Sequence, residues 1–306
     1  MSLLNIIAAQ AQRGAQVFTA EISPPRLYLE IDRIVGIARR LRAVGLDAIA
    51  VTNSTGGSYK FSPWAIVEDI QRAMGHVPLI IHLTARDEGS ARSVYYHLHE
   101  MSLKGVRDVL IIRGDPSPGN SKLLDSYRFT TSELVRMVDG YRRGTLLDGS
   151  RSEPLPNLDI FVAAHPEYPD SALEKHLRFL RRKVDAGADG MISNIVTDTD
   201  AFFRYRDRAR AAGIEPPILP SLLPLNSARR CAFLIENLHI SVPQATVDRL
   251  RAADQNSAQA FGLDDMVGKI DRLIAGGAPG ANFNIIVPSD ADAIVAAMQA
   301  YRGSCS

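Results

Sequence analysis

The stretch Val109-Leu-Ile-Ile-Arg-Gly-Asp-Pro-Ser-Pro-Gly119 decides the fold class. Its first four residues are apolar and three of them are β-branched, which predicts a buried strand that ends in a turn. The strand end therefore carries a cation, a bare backbone and a carboxylate, in Arg113, Gly114 and Asp115. In parallel α/β folds, ligands bind at that edge. Taken alone, the stretch is explained better by a strand and an ordinary surface turn than by a ligand site. However, the same pattern of an apolar strand that ends in polar residues recurs along the chain.

Short apolar runs alternate with longer amphipathic stretches throughout the sequence. They predict strands at 16–22, 48–52, 77–84, 109–112, 159–164, 190–196, 217–223 and 281–287. They predict helices at 28–44, 63–74, 88–104, 131–141, 171–186, 198–212, between 227 and 275, and at 290–301. A short amphipathic helix at 1–10 precedes them, and a polar surface insertion is expected near 144–156.

Strands that each precede a helix, and that are apolar enough to be covered on both faces, predict a parallel α/β fold. With eight such units we predict one domain over residues 1–306, a (β/α)8 TIM barrel. An open, doubly wound sheet is the alternative. It is disfavoured because no Gly-x-Gly-x-x-Gly pattern follows the first strand.

Composition and charge argue against several classes of function. Among 306 residues, 35 Lys and Arg balance 34 Asp and Glu, so the net charge of +1 gives no reason to expect nucleic acid or an anionic membrane as a partner. Cys231 and Cys305 lie far apart in sequence, which indicates no disulfide framework and no metal site and favours a reduced, cytoplasmic protein. No apolar run reaches the length of a membrane span, and the apolar start lacks the basic residues of a signal peptide.

Titratable residues collect where the predicted strands end. Acids, two histidines and an arginine converge there, which is more than turns require and is the usual signature of an active site. The polar residues at the strand ends are Glu21, Thr52, His82, Thr84, Arg113, Asp115, His165, Glu167, Asn194 and Asn284.

Glu21 is the candidate general acid. Apolar neighbours in Phe18-Thr-Ala-Glu-Ile-Ser-Pro-Pro25 are expected to desolvate its carboxylate and raise its pKa, which suits proton donation near neutral pH. A structural carboxylate paired with Arg26 explains the residue equally well.

The remaining candidates allow both a functional and a structural interpretation. Asp115, two residues from Arg113, is expected to stay ionised at the site or to stabilise its loop through an Asx-type turn. His82 and His165 lack a third ligand at suitable spacing, so we expect them to hydrogen-bond a ligand rather than hold a metal. The basic run 181–183 is either a solvated helix face or a site for a diphosphate.

Several stretches together point to one family. They are Thr19-Ala-Glu-Ile-Ser-Pro-Pro-Arg26, Ile81-His-Leu-Thr84, Ile112-Arg-Gly-Asp-Pro116, Ala163-Ala-His-Pro-Glu167, Arg182-Lys-Val-Asp-Ala-Gly187 and Pro217-Ile-Leu-Pro-Ser-Leu-Leu-Pro224. In order and spacing they resemble methylenetetrahydrofolate reductase, over nearly the whole chain. The length matches the bacterial form, which lacks the regulatory domain of the eukaryotic enzyme.

The resemblance implies a (β/α)8 barrel that binds FAD non-covalently. In that family NADH or NADPH reduces the flavin, and 5,10-methylenetetrahydrofolate then stacks on it and receives the hydride to give the 5-methyl form. The family commonly assembles into dimers or tetramers, so we expect a homo-oligomer with a folate-type substrate.

The resemblance also assigns roles by position. Glu21 matches the general acid that protonates the folate, and Asp115 matches the acid that tunes the flavin and contacts the pterin. Asn194 stands at a substrate position. The positions that match cofactor contacts are Thr52, His82, Arg113, Gly114, Asp115, Thr131 and His165, with Arg182 and Lys183 near the phosphates.

Some ligand positions depart from the family pattern. His165 replaces a usual tyrosine, Asn194 a glutamine, and His176 and Phe179 an acid and an amide; the eighth strand reads Phe283-Asn-Ile-Ile-Val287 instead of Phe-Tyr-Thr-Leu-Asn. Two alternatives therefore stay open. One is a flavin-independent or divergent reductase that works with a corrinoid methyl-transfer partner, and the other is a non-catalytic pterin-binding protein.

Overall fold

The computed structural model describes residues 1–75, 77–117, 126–155 and 157–304. Pro118 and Gly119 of the deciding stretch, Pro156 of the predicted insertion, and Cys305 lie outside the described residues. No helix in the described part of the chain combines the length and the apolar character needed to cross a bilayer.

Eight parallel strands pair in sequence order and close into a barrel, which confirms the predicted (β/α)8 fold and excludes the open sheet. The strands are β1 (Val17–Ile22), β2 (Ala48–Val51), β3 (Leu79–Thr84), β4 (Asp108–Ile112), β5 (Asp159–Ala164), β6 (Gly190–Ile195), β7 (Ile218–Leu222) and β8 (Gly280–Asn284). The helices are α1 (Leu3–Gln12), α2 (Ile31–Ala43), α3 (Pro63–Met74), α4 (Ala91–Leu103), α5 (Thr131–Arg142), α6 (Asp170–Asp185), α7 (Thr199–Ala211), α8 (Ala228–Asn237), α9 (Gln244–Ala252), α10 (Gln255–Ala275) and α11 (Pro288–Ser304).

Two element boundaries differ from the sequence prediction for visible reasons. The eighth strand was expected to reach residue 287, but β8 ends at Asn284, because the amides of Ile286 and Val287 donate to Asp290 Oδ2, each at 2.9 Å. The predicted helix at 28–44 starts as a 3-10 turn over Tyr28–Glu30 before α2 begins.

The predicted surface insertion is anchored to the body of the protein. In its described part, 144–155, Thr145 and Arg151 form an antiparallel bridge. Leu147 is exposed, whereas Leu155 is buried in the main core. The insertion is therefore a surface feature with one apolar anchor.

Alternation along the strands divides the core into two layers. One set of side chains fills the inside of the barrel and includes Ala50, Ile80, Leu110, Phe161 and Ile192. The other set faces outward and packs against the helices. The inner set is apolar around β2 to β6, and polar side chains follow it toward the carboxyl ends of the strands.

Helix α1 closes the amino end of the barrel. The backbone amide of Leu3 donates to Asp108 Oδ1 at 2.8 Å, and that of Leu4 donates to Asp159 Oδ2 at 3.3 Å. A helix amino terminus favours such carboxylates. Burial nevertheless dominates at the fully buried Asp108 and raises its pKa to about 8, with the nearby Asp159 charge acting in the same direction and the Leu3 bond opposing it.

We expect Asp108→Asn to flatten the pH dependence of stability. The raised pKa means that the folded protein binds a proton here between about pH 4 and pH 8 that the unfolded chain releases, so stability falls as pH rises through that window. The wild type should lose about 3 kcal/mol more than the variant between pH 6 and pH 9. Urea unfolding at both pH values measures the difference. Asp207→Asn, at an exposed acid, is the control, and parallel curves for wild type and Asp108→Asn would contradict the prediction.

Candidate active site

Buried polar atoms without a partner collect at the barrel mouth, meaning the carboxyl ends of β1–β8 and the loops that follow. Six such side-chain atoms occur among the described residues, and four lie at the mouth: His82 Nε2, Thr84 Oγ1, Glu167 Oε2 and Asn284 Oδ1. Leaving a buried donor or acceptor unsatisfied costs about 1–3 kcal/mol. A cluster of them indicates a place where a bound molecule or ordered water completes the hydrogen bonds.

Glu21 sits at this mouth, opposite Asn284 in the register of β1 and β8. Its Oε1 accepts from Asn282 Nδ2 at 3.1 Å and its Oε2 accepts from Asn284 Nδ2 at 2.9 Å, so its partners are two neutral amides rather than Arg26. Burial raises the pKa of Glu21 to about 7, and the two amide bonds act against that rise. A large fraction of the side chain is thus protonated near neutral pH, as a general acid requires.

A buried polar network beneath Glu21 holds the carboxyl in place. Asn282 is fully buried; it accepts from Thr19 Oγ1 at 2.8 Å and donates to Ser221 Oγ at 2.9 Å as well as to Glu21. None of these three supporting residues was predicted from the sequence. A signal was present, because Asn282 lies two residues before Asn284 and therefore faces the same side of the strand.

We expect Asn284→Ala to raise the pKa of Glu21 further. The Asn284 amide lowers that pKa by bonding the charged carboxylate, and the substitution removes this bond while leaving the Asn282 network intact. The titration midpoint of Glu21, followed by carbon-13 NMR of labelled glutamate, should move upward from about 7. The exposed Asn237 offers a matched alanine control that should leave the midpoint in place. A midpoint that falls in Asn284→Ala would contradict the geometry.

Asp115 joins two loops at the opposite part of the mouth. Its Oδ2 accepts from the amide of Gly56 at 3.0 Å, a contact with the loop after β2 rather than the local Asx-type turn considered above. Arg86, buried to 2% exposure, donates from Nη1 to the carbonyl oxygens of Asp115 at 2.7 Å and Ser54 at 3.2 Å. The Asp115 carboxylate is exposed and held by these loops at the same end of the barrel as Glu21.

Gly114 allows the β4 loop to approach β3 closely. Its φ is +82°, and a Cβ there would lie 2.2 Å from Thr84 Cγ2. Tyr127 donates from its hydroxyl to the Gly114 carbonyl at 3.0 Å, and the Arg113 guanidinium lies 4.9 Å from the centre of the Tyr127 ring. The glycine predicted as a cofactor contact is therefore also required by the backbone.

His82 is neutral at physiological pH. It is buried at the mouth, and this burial lowers its pKa to about 3. A neutral imidazole can donate or accept a hydrogen bond, which agrees with the expectation of a ligand contact. Thr52, just after β2, bonds Ser23 through the two hydroxyls at 2.8 Å. Among the described residues no group of three His, Cys, Asp or Glu side chains is placed to hold a metal ion.

His165, Glu167 and Asn194 form a second cluster at the mouth. Glu167 Oε1 lies 3.0 Å from His165 Nδ1 and accepts from Asn194 Nδ2 at 2.8 Å. The backbone amide of His165 donates to the hydroxyl of Tyr205 at 3.4 Å. Glu167 was predicted to lie at a strand end without an assigned role, and its contacts make it the centre of the cluster.

The basic residues of α6 are engaged within the protein. Arg182 lies over the ring of Phe179, 4.9 Å from its centre, and Lys183 Nζ donates to the carbonyl of Ala163 at 3.1 Å. Burial lowers the pKa of Lys183 to about 8. The ring of His176 stacks on Tyr168 with centres 3.2 Å apart.

Thr131 is the first residue of α5 and directly follows Thr130, which forms a capping box with Glu133. It lies at the amino end of the helix that follows β4. No described contact tests its expected role with a cofactor, which stays a prediction.

A closed parallel barrel with a protonatable carboxyl and unsatisfied polar atoms at its mouth defines a class, the barrel enzymes that act on small molecules at the carboxyl ends of their strands. Within that class the chain belongs to the methylenetetrahydrofolate reductase family, whose model matches residues 6–298.

Individual relatives agree with this assignment. The chain is 27% identical over 242 residues to 5,10-methylenetetrahydrofolate reductase of Escherichia coli K12, covering 78% of this chain and 75% of that protein. It is 26% identical over 277 residues to a probable methylenetetrahydrofolate reductase (NADH) of Oryza sativa subsp. japonica, covering 86% of this chain and 44% of that protein. The chain thus spans less than half the length of this plant relative.

A solved structure shares the fold. An uncharacterized protein from Clostridium thermocellum that binds two copies of 5-methyl-5,6,7,8-tetrahydrofolic acid superposes with a TM-score of 0.67, covering 99% of each chain at 15% sequence identity. At that identity the likeness concerns the fold.

Proposed function

We propose that this chain reduces 5,10-methylenetetrahydrofolate, or a close one-carbon pterin, to the 5-methyl form with NADH or NADPH and non-covalently bound FAD. The observation that carries the proposal is Glu21, a carboxyl whose pKa is raised to about 7 at the mouth of a barrel of this family. The family resemblance extends the proposal to a cytoplasmic homo-oligomer, a dimer or a tetramer.

Glu21 supplies the proton in this reaction. Protonation of the bridged folate opens its five-membered ring to an iminium, which is the form that accepts a hydride. The Asn282 and Asn284 amides hold both carboxyl oxygens, so the proton is presented from a fixed position. Asp115, exposed on the other side of the mouth, contributes a carboxylate able to accept hydrogen bonds from the pterin.

The residues at the mouth fit a flavin ring edge. Among the described residues, His82 Nε2 and Thr84 Oγ1 are buried without a partner, and a ring system with alternating donors and acceptors would satisfy both. Bound FAD would supply a hydride carrier between NAD(P)H and the folate. The chain itself orients the rings and places charge at their edges.

A flavin-independent reductase is the second candidate, favoured by the contacts of α6. Arg182 and Lys183, which the resemblance places near the cofactor phosphates, are bonded to Phe179 and to the Ala163 carbonyl. A diphosphate bound there would have to share these two cations with the protein. Under this candidate NAD(P)H transfers hydride directly to the folate, and the proton still comes from Glu21.

The absorbance spectrum of the purified protein tests both candidates. The proposal expects a yellow protein, or one that takes up added FAD, which NADH or NADPH bleaches without oxygen and methylenetetrahydrofolate then reoxidises. Folate turnover by a preparation free of flavin would favour the second candidate. Absence of folate turnover with and without FAD would overturn both.

A further inference from the structure

Glu167 is the most unusual group at the mouth that the proposed reaction does not use. Its side chain is 10% exposed, and its two oxygens differ sharply. Oε1 receives Asn194 Nδ2 and faces His165 Nδ1, whereas Oε2 is buried with no partner among the described residues. A carboxylate oxygen in that position is costly unless a donor reaches it.

Asn194 already uses each end of its side-chain amide once within the protein. Its Nδ2 is committed to Glu167, and its Oδ1 accepts from the backbone amide of Ile195 at 2.9 Å. One N–H and one lone pair of the amide are left, so Asn194 keeps only half of its hydrogen-bonding capacity for a ligand. The polar atom that this part of the mouth leaves open is Glu167 Oε2.

Resting on the proposed function, we infer that Glu167 is a pterin-binding residue and accepts a hydrogen bond from an N–H group of the folate at its Oε2. A reduced pterin carries donors at N3, N8 and the 2-amino group, and an ionised carboxylate only accepts. A carboxylate selects more strictly than an amide, because an amide can turn to offer either a donor or an acceptor.

The surroundings of Glu167 support this role. Donors on His165 and Asn194 fix one oxygen and thereby aim the other. Glu167 also lines a cavity of about 420 Å³ with Tyr168, Asp198 and Arg204, between the loops after β5 and β6. The cavity provides open space next to the Glu167 residue.

Glu167→Gln tests this role because it keeps the size and shape of the side chain but replaces one hydrogen-bond acceptor, a carboxylate oxygen, with a donor, an NH2 group. The donors of His165 and Asn194 will hold the new carbonyl oxygen at the position of Oε1. The new NH2 group then occupies the position of Oε2 and confronts the ligand donor. Affinity for 5-methyltetrahydrofolate should fall about ten- to a hundredfold.

Calorimetric titrations with 5-methyltetrahydrofolate and with FAD separate the outcomes. The inference expects the folate loss in Glu167→Gln with unchanged FAD affinity and melting temperature, and no loss in the control Glu174→Gln on the exposed face of α6. Unchanged folate affinity would overturn the inference while leaving the proposed function intact. A loss confined to FAD would overturn it too, by assigning Glu167 to the flavin. If the wild type binds no 5-methyltetrahydrofolate, the proposed function fails and the inference with it.

Discussion

Glu21→Gln should lower the rate of methylenetetrahydrofolate reduction about a hundred- to ten-thousandfold. The glutamine keeps the size of the side chain but has no proton to give, and general acid catalysis is worth that much in typical enzymes. The measurement is single-turnover reduction of the folate at pH 7. A non-catalytic pterin-binding protein would show no folate reduction in either form, and a rate that survives the substitution would remove Glu21 from the mechanism.

The same variant should remain folded, which separates chemistry from stability. The raised pKa of Glu21 means that ionising this carboxyl costs stability as pH rises from about 4.5 to 7, and glutamine avoids that cost. The new NH2 group needs an acceptor, and the Asn284 amide can supply one by turning its unpaired Oδ1 toward it. The melting temperature at pH 8 should therefore be no lower than that of the wild type.

The sequence was sufficient for the barrel and for part of its mouth. The fold could be predicted from alternating apolar strands and amphipathic helices, because a strand covered on both faces appears in the sequence as a continuous apolar run. Glu21 and Asp115 were found because they lie at strand ends, where parallel strands bring residues together. The raised pKa of Glu21 also followed from its apolar neighbours.

What the sequence could not show depends on distant partners. Glu167 is the centre of a cluster only because Asn194, 27 positions away, donates to it. Lys183 is turned to a β5 carbonyl rather than held free for a phosphate, which no pattern of charges in α6 reveals. Arg86 was overlooked because arginine is almost never fully buried unless paired, and its carbonyl partners carry no side-chain signal.

Arg86→Met should destabilise the protein by about 3 kcal/mol. The guanidinium donates to both oxygens of Asp87, from Nε at 2.8 Å and from Nη2 at 2.7 Å, and to the carbonyls of Ser54 and Asp115. Methionine fills the space but leaves a partly buried carboxylate and two carbonyl oxygens without this donor. Urea unfolding measures the loss. The control Arg72→Met breaks an exposed pair with Asp69 and should cost no more than about 0.5 kcal/mol.

The loss of stability in Arg86→Met should be largest in two loops, because Arg86 connects the loop after β2 to the loop after β4. Without it, the contact between Gly56 and the Asp115 carboxylate loses its support, so hydrogen exchange should quicken at 53–58 and 113–117 before the rest of the barrel. The double variant Arg86→Met with Asp87→Asn should recover part of the stability, because the uncompensated charge of Asp87 is gone. It should not recover the slow exchange, because the Ser54 and Asp115 carbonyls still lack the Arg86 donor. Slow exchange in both variants would show that Arg86 does not position Asp115.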